Sequence, residues 1–415
     1  MNPLRNDCFA LPPGVNWTPV DEALERLRSR LHPVVGVDHA VPLSQVNGRI
    51  LASDVYAPRS HPPSNNSAVD GYAFSGPLTE VPCTLPLLSG RSAAGEPYRE
   101  QVPAGYAIRI LTGAVIPAGT DTVVLEEDCE VIGGQLHLNG TLKAGANLRK
   151  AGEDIQAQDR ILKAGTRLTP TQISVLASVG VESADVYQRL RVGVLSTGDE
   201  VKPVGSAVTD WQIYDANRPM LSALVAQLGY DLVDLGHVLD RAEDVKAALE
   251  HGAEQCDLIL TSGGISAGDE DHVSKTLKAH GEISNWRIAI KPGRPLALAM
   301  FQGTPVVGLP GNPVAAWVCA LCFGAPAMAL LAGGEWFKPQ GYMIPANFHK
   351  NKKPGRNEML RARVRNGQVE AFSSEGSGRV TGLAWSDGLV DLDDSAQQIE
   401  PGTPVKFIPY ASFGL

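Results

Sequence analysis

Cysteine is sparse in this chain. Six residues, at 8, 83, 129, 256, 319 and 322, are spread over 415 positions. That spacing excludes a disulfide framework and fits a reduced compartment. The first residues, MNPLRNDCFALPPG, lack a basic start followed by an apolar core, which predicts no secretory signal and a cytoplasmic location. An excess of positive charge is also missing. With 36 Lys+Arg against 45 Asp+Glu the formal charge is −9, which argues against general binding to nucleic acid or to an anionic membrane. There is no G-x-x-x-x-G-K-[ST] and no G-x-G-x-x-G, so Walker-type and dinucleotide readings are weak. No His/Cys ligand cluster and no Ser-His-Asp spacing stands out either.

What is present is an ordinary globular composition, 43% hydrophobic and 20% charged, with a surplus of turn formers. The 43 glycines and 30 prolines follow no G-X-Y period and punctuate apolar segments, which excludes both collagen and disorder. The length suggests about two to four domains. Cys319 and Cys322 form a C-x-x-C within an apolar run that has no second pair, so they read as buried core cysteines. The same run, Val314 to Ala332, is long enough to suggest a membrane span. Gly324 and Pro326 interrupt it and no basic flank closes it, so a buried helix is the better reading.

Periodicity divides the chain. Thr18-Pro19 followed by VDEALERLRSRL predicts a capped helix with Val20, Leu24, Leu27 and Leu31 on one stripe. From about Val41 to Asp159, short β-like runs such as EVPCTLPLL, YAIRIL, DTVVLEE and QLHLNG predict an all-β module. ISVLASVG (173–180) reads as a short helix, and DVYQRL as a strand leading out. Residues 191–332 alternate strand and helix, which predicts a doubly wound, mainly parallel sheet that binds ligands outside the carboxyl ends of its strands. Residues 338–412 return to short β runs, as a small barrel or sandwich.

Four strand ends of the α/β region run into loops with functional chemistry: LSTGDE (195–200), LTSGGISAGDED (260–271), AIKPGRP (289–295) and VGLPGNP (307–313). Glycines there let backbone N–H groups approach a ligand, and the helices that start after the second and fourth loops favour anions. Asp199, Glu200, Asp215, Asp240, Asp269 and Asp271 are expected near these strand ends, together with Lys291 and Arg294. Acids beside phosphate-cradling loops point to Mg²⁺, which takes one or two carboxylates plus ligand phosphate oxygens. Further polar motifs, HPPSNNSAVDGYAF (61–74), LTGAVIPAG (111–119) and NLRKAGEDI (147–155), carry Asp70, Thr112 and Asp154.

The motifs S-A-V-D-G-Y-A, R-I-L-T-G-A, R-K-A-G-E-D-I, S-T-G-D-E, Y-D-A-N, S-G-G-I-S-A-G-D, K-P-G-R-P and G-L-P-G-N-P occur in that order. Together they closely resemble the molybdopterin molybdotransferase (MoeA) family, which includes the E domain of gephyrin, over about residues 18 to 410. The resemblance implies an α/β multidomain chain. Residues 1–55 and 148–189 would form an N-terminal linker domain, 56–147 an inserted β-rich domain, 190–335 a molybdopterin-binding α/β domain and 336–415 a C-terminal β-barrel. It also implies a homodimer, without nucleic acid or membrane as partner, that inserts molybdenum from molybdate into adenylylated molybdopterin with Mg²⁺ and releases AMP. Transient contact with the molybdopterin adenylyltransferase and with apo-molybdoenzymes would follow.

By motif, the resemblance gives catalytic roles to Asp70, Thr112, Asp154, Glu200, Asp240 and Lys291. Pterin, phosphate and molybdate contacts would come from Ser196, Thr197, Gly198, Asp199, Ser262, Gly263, Gly264, Ser266, Gly268, Arg294, Pro310, Gly311, Asn312, Arg356 and Ser377, and metal ligands from Glu200 and Asp271. Asp70, Thr112 and Asp154 would approach the cleft from the second subunit. Departures from the family pattern are Asn65 where an Asp is usual, Val69 for Met, and K-P-G-R-P for K-P-G-K-P, which keeps charge but changes geometry. A scaffold role on the same fold, a tungstate-selective relative and a hydrolase are the alternatives. Metal-dependent AMP release with molybdate against tungstate separates them.

The C-terminal region is split in charge. Residues 336–365 hold eight Lys/Arg and one acid, and residues 366–400 hold seven acids and one Arg. No interleaved aromatic platform accompanies the basic stretch, so a solvated hairpin partly facing an anionic ligand is expected rather than an RNA surface.

Overall fold

The computed structural model describes residues 17–265, 272–293 and 295–415, with the backbone alone for 283–287 and 295. Its centre is a six-stranded sheet in the order Asp231–Val238, Arg191–Thr197, Leu258–Ser262, Thr304–Leu309, Pro295–Phe301, Gly281–Arg287. The first four strands are mutually parallel; Pro295–Phe301 runs antiparallel to both of its neighbours, so Gly281–Arg287 points the same way as the first four. Arg191–Thr197 and Leu258–Ser262 are almost wholly buried, which explains why their sequences are near-continuous apolar runs. The helices Asn217–Gln227, Ala242–Gln255 and His272–His280 alternate with the strands as expected. Chain order reverses between Arg191–Thr197 and Leu258–Ser262, and that reversal opens a crevice at their carboxyl ends.

The apolar run forms one continuous helix, Pro313–Leu331, which is 89% buried. Gly324 and Pro326 do not break it. A π-helical turn at Ala320–Gly324 widens the backbone just ahead of Pro326, which has no N–H to offer the preceding turn. Cys319 lies fully buried beneath the sheet, as the sequence suggested, whereas Cys322 is only partly buried against the same core. The N-terminal helix Val20–Arg30 packs Ala23 and Leu27 into the same core.

A second six-stranded sheet is built from strands between Gly71 and Leu138. It is tethered by short pairings such as Asn66–Ser67 with Leu148–Arg149. The strand Val37–Pro42 pairs instead with Ser183–Tyr187. A third six-stranded sheet gathers the C-terminal strands, and it recruits one unexpected member. Ile290–Lys291 pairs in parallel with Asn357 and Glu358 of the C-terminal sheet, not with the α/β sheet. The K-P-G-R-P loop therefore does not follow a strand of the central sheet. The chain leaves that sheet after Arg287, and Ile288 and Ile290 bury themselves on the way to the next.

Candidate active site

A cleft of about 970 Å³ lies outside the carboxyl ends of the parallel strands and is closed on its far side by the C-terminal unit. Its floor comes from Ser196, Thr197 and Gly198, from Ser262, Gly263 and Gly264, and from Pro310, Gly311 and Asn312. The glycine requirement is steric. At Gly263 (φ +94°) a Cβ would stand 2.7 Å from the Thr197 carbonyl oxygen, and at Gly264 (φ +64°) it would stand 2.5 Å from Val273. Asn217 ties two of these loops together, donating through Nδ2 to Ser262 Oγ and to the Gly311 carbonyl, each at 2.7 Å. Asn217 belongs to the Y-D-A-N motif, whose local pattern gives it no role.

The acids differ in their partners. Asp215, 3% exposed, accepts from the Arg218 backbone N–H at 3.0 Å and from its Nε at 3.3 Å, so its charge is compensated inside the fold. Asp199 is not in the cleft lining. Its carboxylate accepts the Asp240 N–H at 3.1 Å and so shapes the loop that presents Asp240. Glu200 and Asp240 do line the cleft, and Asp240 Oδ1 is buried without a hydrogen-bond partner. Burial raises the Asp240 pKa above the usual carboxylate range, and the neighbouring Asp199 and Glu200 charges add to the rise against an opposing pull from His272.

On the C-terminal side stand Lys291, Arg356, Glu375 and Ser377. The Arg356 guanidinium lies over the Trp17 ring at 5.6 Å. The Lys291 ammonium donates to Glu375 at 2.6 Å and to Glu358 at 3.3 Å. Lys350, buried behind it, contacts Glu358 at 2.8 Å and also Glu375. Glu375 was not expected in the site. Its partners are 25 and 84 residues away in the chain, so no local pattern announces it.

The basic stretch is not the solvated hairpin its composition suggested. Lys352 and Arg361 are 2% and 4% exposed. Lys352 donates to the carbonyls of Lys353 and Ser395, and Arg363 pairs with Glu370. Of its eight cations, Arg356 alone is among the cleft-lining residues described.

Asp70, Thr112 and Asp154 are exposed on the N-terminal part and absent from the cleft lining of their own chain. Asp70 and Thr112 meet each other. Asp70 Oδ1 accepts from Thr112 Oγ1 at 2.7 Å and from the Thr112 N–H at 2.6 Å, and these bonds hold the Asp70 pKa below the usual range. Asn65 accepts from the Ala151 N–H at 2.8 Å and thereby holds the turn that leads to Asp154. Val69 packs against the buried side chains around Ile108 and Ile110. Ser266, Gly268, Asp269, Asp271 and Arg294 lie outside the described residues.

Comparison with known proteins bears on every part of this architecture. Residues 18–180 match the family described as the MoeA N-terminal region (domain I and II), 193–329 the probable molybdopterin binding domain, and 344–410 the MoeA C-terminal region (domain IV). A molybdopterin molybdenumtransferase of Haemophilus influenzae is 34% identical over 94% of this chain and 98% of its own length. Molybdopterin molybdenumtransferase 2 of Mycobacterium tuberculosis is 31% identical over 88% of this chain and 93% of its own. A crystal structure of a molybdopterin biosynthesis MoeA protein from Pyrococcus horikoshii OT3 superposes with a TM-score of 0.82 at 25% identity, covering 95% of this chain and all of the other.

Proposed function

The chain belongs to the MoeA family, and from that premise we propose that it is a molybdopterin molybdenumtransferase that inserts molybdenum from molybdate into adenylylated molybdopterin and releases AMP in molybdenum cofactor biosynthesis. The observation that carries the reading is the cleft. Glycine loops at a topological switch point face Lys291 and Arg356 across a space large enough for a pterin nucleotide.

The physical difficulty of the reaction is that two anions must meet. Pro310 has no N–H and the Gly263 N–H donates to the Leu309 carbonyl at 3.2 Å, so the N–H groups suited to cradle phosphate oxygens are those of Gly264, Gly311 and Asn312 along the cleft. Lys291 and Arg356 supply positive charge from the C-terminal side, and Ser377 offers a hydroxyl beside them. Held in one cleft, pterin and oxyanion need no further encounter, which is the largest contribution positioning can make. Asp240, with its raised pKa, holds a proton more readily than an ordinary carboxyl and would give it up when a cation binds.

Mg²⁺ dependence belongs to the same proposal. Among the described residues no group of three or more His, Cys, Asp or Glu is arranged to hold a metal unaided. Mg²⁺ does not require one, because it binds through one or two carboxylates together with water and phosphate oxygens. Glu200 and the unpartnered Asp240 Oδ1 fit that donor set, to which the family resemblance adds Asp271. Bound there, the ion would neutralise phosphate charge.

We also assign Asp70, Thr112 and Asp154 to the cleft of a second subunit in a cytoplasmic homodimer that meets the adenylyltransferase and apo-molybdoenzymes transiently. In support, they are exposed, Asp70 is held ionised, and none lines the cleft of its own chain. The free state of Cys83, Cys129, Cys256, Cys319 and Cys322 fits a reducing compartment.

The test is AMP release from adenylylated molybdopterin by the purified protein. Release should require both molybdate and Mg²⁺ and stop with a chelator. Release at the same rate with and without molybdate would refute molybdenum transfer.

A further inference from the structure

Lys291 is placed to meet an incoming oxyanion, yet its ammonium already has a carboxylate at 2.6 Å, that of Glu375. We propose that Glu375 is a built-in competitor for the oxyanion: it occupies Lys291 in the free enzyme and yields that position when the oxyanion binds, so that it sets the affinity of the site.

Four charges form the cluster. Lys291 and Lys350 each contact both Glu358 and Glu375, so the group is neutral overall. An anion approaching a neutral cluster gains little. Once the Glu375 carboxylate turns away, the remaining two ammoniums and one carboxylate carry a net positive charge on the cleft side.

Exposure identifies Glu375 as the member able to leave. The side chains of Lys350 and Glu358 are 9% and 10% exposed, so withdrawing either would strand a buried charge. The Glu375 side chain is 48% exposed and lines the cleft, so water can receive it. Rotation into water also gives up its contact with Lys350, which keeps Glu358 at 2.8 Å.

The backbone beneath it stays fixed. Arg361, buried under the loop, donates to the carbonyls of Arg379 at 2.6 Å and Gly376 at 3.2 Å, and to that of Ser374. The Ser377 carbonyl accepts the Val314 N–H at 3.0 Å, which pins the loop to the start of the long helix. Displacement is therefore a side-chain rotation of Glu375, and Ser377 keeps its place. The carboxylate thus raises the threshold for a weakly charged anion while leaving the site open to a dianion, which can outcompete a single charge.

This inference rests on the assignment of molybdate to the cleft, and the experiment separates the two. Molybdate binding to the full-length protein is titrated calorimetrically for wild type and Glu375→Gln, with sulfate as a second probe. Molybdate-dependent AMP release by the wild type is measured alongside. Glu375→Gln should bind molybdate about tenfold more tightly or better, the scale of one screened charge pair at a half-exposed site. It should also gain affinity for sulfate. Glu375→Asp keeps the charge but shortens its reach, and should fall between the two. Thermal melting establishes that each variant is folded, and the Asp variant carries the test if the Gln variant is not. Wild-type turnover with unchanged or weaker molybdate binding in Glu375→Gln would overturn the competitor role, because Glu375 would then merely orient Lys291. Absence of molybdate-dependent turnover in the wild type would overturn the transferase reading and this inference with it.

Discussion

Arg361 provides the most demanding test of how the site is built. It is 4% exposed, and its guanidinium serves three backbone carbonyls of the loop that brings Glu375 and Ser377 to the cleft. Its charge also lies over the Phe372 ring at 4.9 Å. Replacement by Met keeps the aliphatic stem and removes every one of these donors. Hydrogen bonds from a charged group contribute about 1.5–3 kcal/mol each. Their sum overstates the loss, because burying the charge costs several kcal/mol that Met does not incur. Leaving a buried carbonyl unpaired costs about 1–3 kcal/mol, so with three carbonyls orphaned and the desolvation cost relieved a net loss of roughly 3–5 kcal/mol is expected. At about 2–4 °C per kcal/mol, the unfolding transition should fall by roughly 6–20 °C. Activity should fall further than stability alone requires, since a misplacement of about 1 Å can cost on the order of 100-fold in rate. Calorimetry together with molybdate-dependent AMP release, both well below the transition, measures the two effects separately. Arg361→Lys should recover little, because an ammonium cannot serve three carbonyls as a planar fork does. A Met variant that melts within about 1 °C of wild type and keeps full turnover would refute the idea that Arg361 holds the loop.

Two further outcomes follow from the site and the core. Asp70→Ala should lose molybdenum insertion with little change in melting temperature, and mixing it with inactive Asp240→Asn subunits should restore part of the activity; full activity in Asp70→Ala alone would leave that residue only a turn. Burial raises the Cys322 thiol to about 12, the Cys129 and Cys256 thiols to about 11, and the Cys319 thiol higher still. A folded pKa above the unfolded value, about 8.5, means that stability is full below pH 8.5 and is lost as pH rises toward the folded values. Melting temperature should therefore decline from about pH 9 upward, and rapid labelling of Cys319 in native protein would contradict its burial.

Much of the α/β unit was legible because its signals are local. Buried parallel strands such as Leu258–Ser262 begin as apolar runs (Leu258, Ile259, Leu260), and the amphipathic helix Ala242–Gln255 has its own period. The motifs at 195–200, 260–264 and 307–313 were legible because only glycine satisfies the close approaches measured at Gly263 and Gly264. What escaped was pairing at a distance. Two-residue strands such as Asn66–Ser67 carry no period, and Val37–Pro42 finds its partner near residue 185. Ile290–Lys291 was assigned to the wrong sheet for the same reason, since an apolar residue before a lysine suits either. Glu375 escaped most completely. Beside Ser377 in the sequence it reads as one more surface acid, and only the fold sets it on Lys291.

The distribution of charge also resolves how an acidic chain can serve an anionic substrate. Among the described residues, the cleft is lined by four carboxylates, Glu200, Asp215, Asp240 and Glu375, and by two cations, Lys291 and Arg356. Counted together they would repel a phosphate, but they do not act together. Asp215 pairs with Arg218, which it shares with Asp234 at 2.7 Å, and Glu375 is held within its own cluster. The uncompensated acids are Glu200 and Asp240, where burial and mutual repulsion already act on the Asp240 carboxyl. The cleft therefore has one pole that welcomes a cation and another where an anion must displace an internal carboxylate. A divalent ion bound at the first would lower the repulsion felt by phosphate, and phosphate would supply it with oxygen ligands, so each would make the other's binding more favourable. An acidic lining is then part of how the site handles negative charge, provided that the acids stand at one end and the lysine at the other.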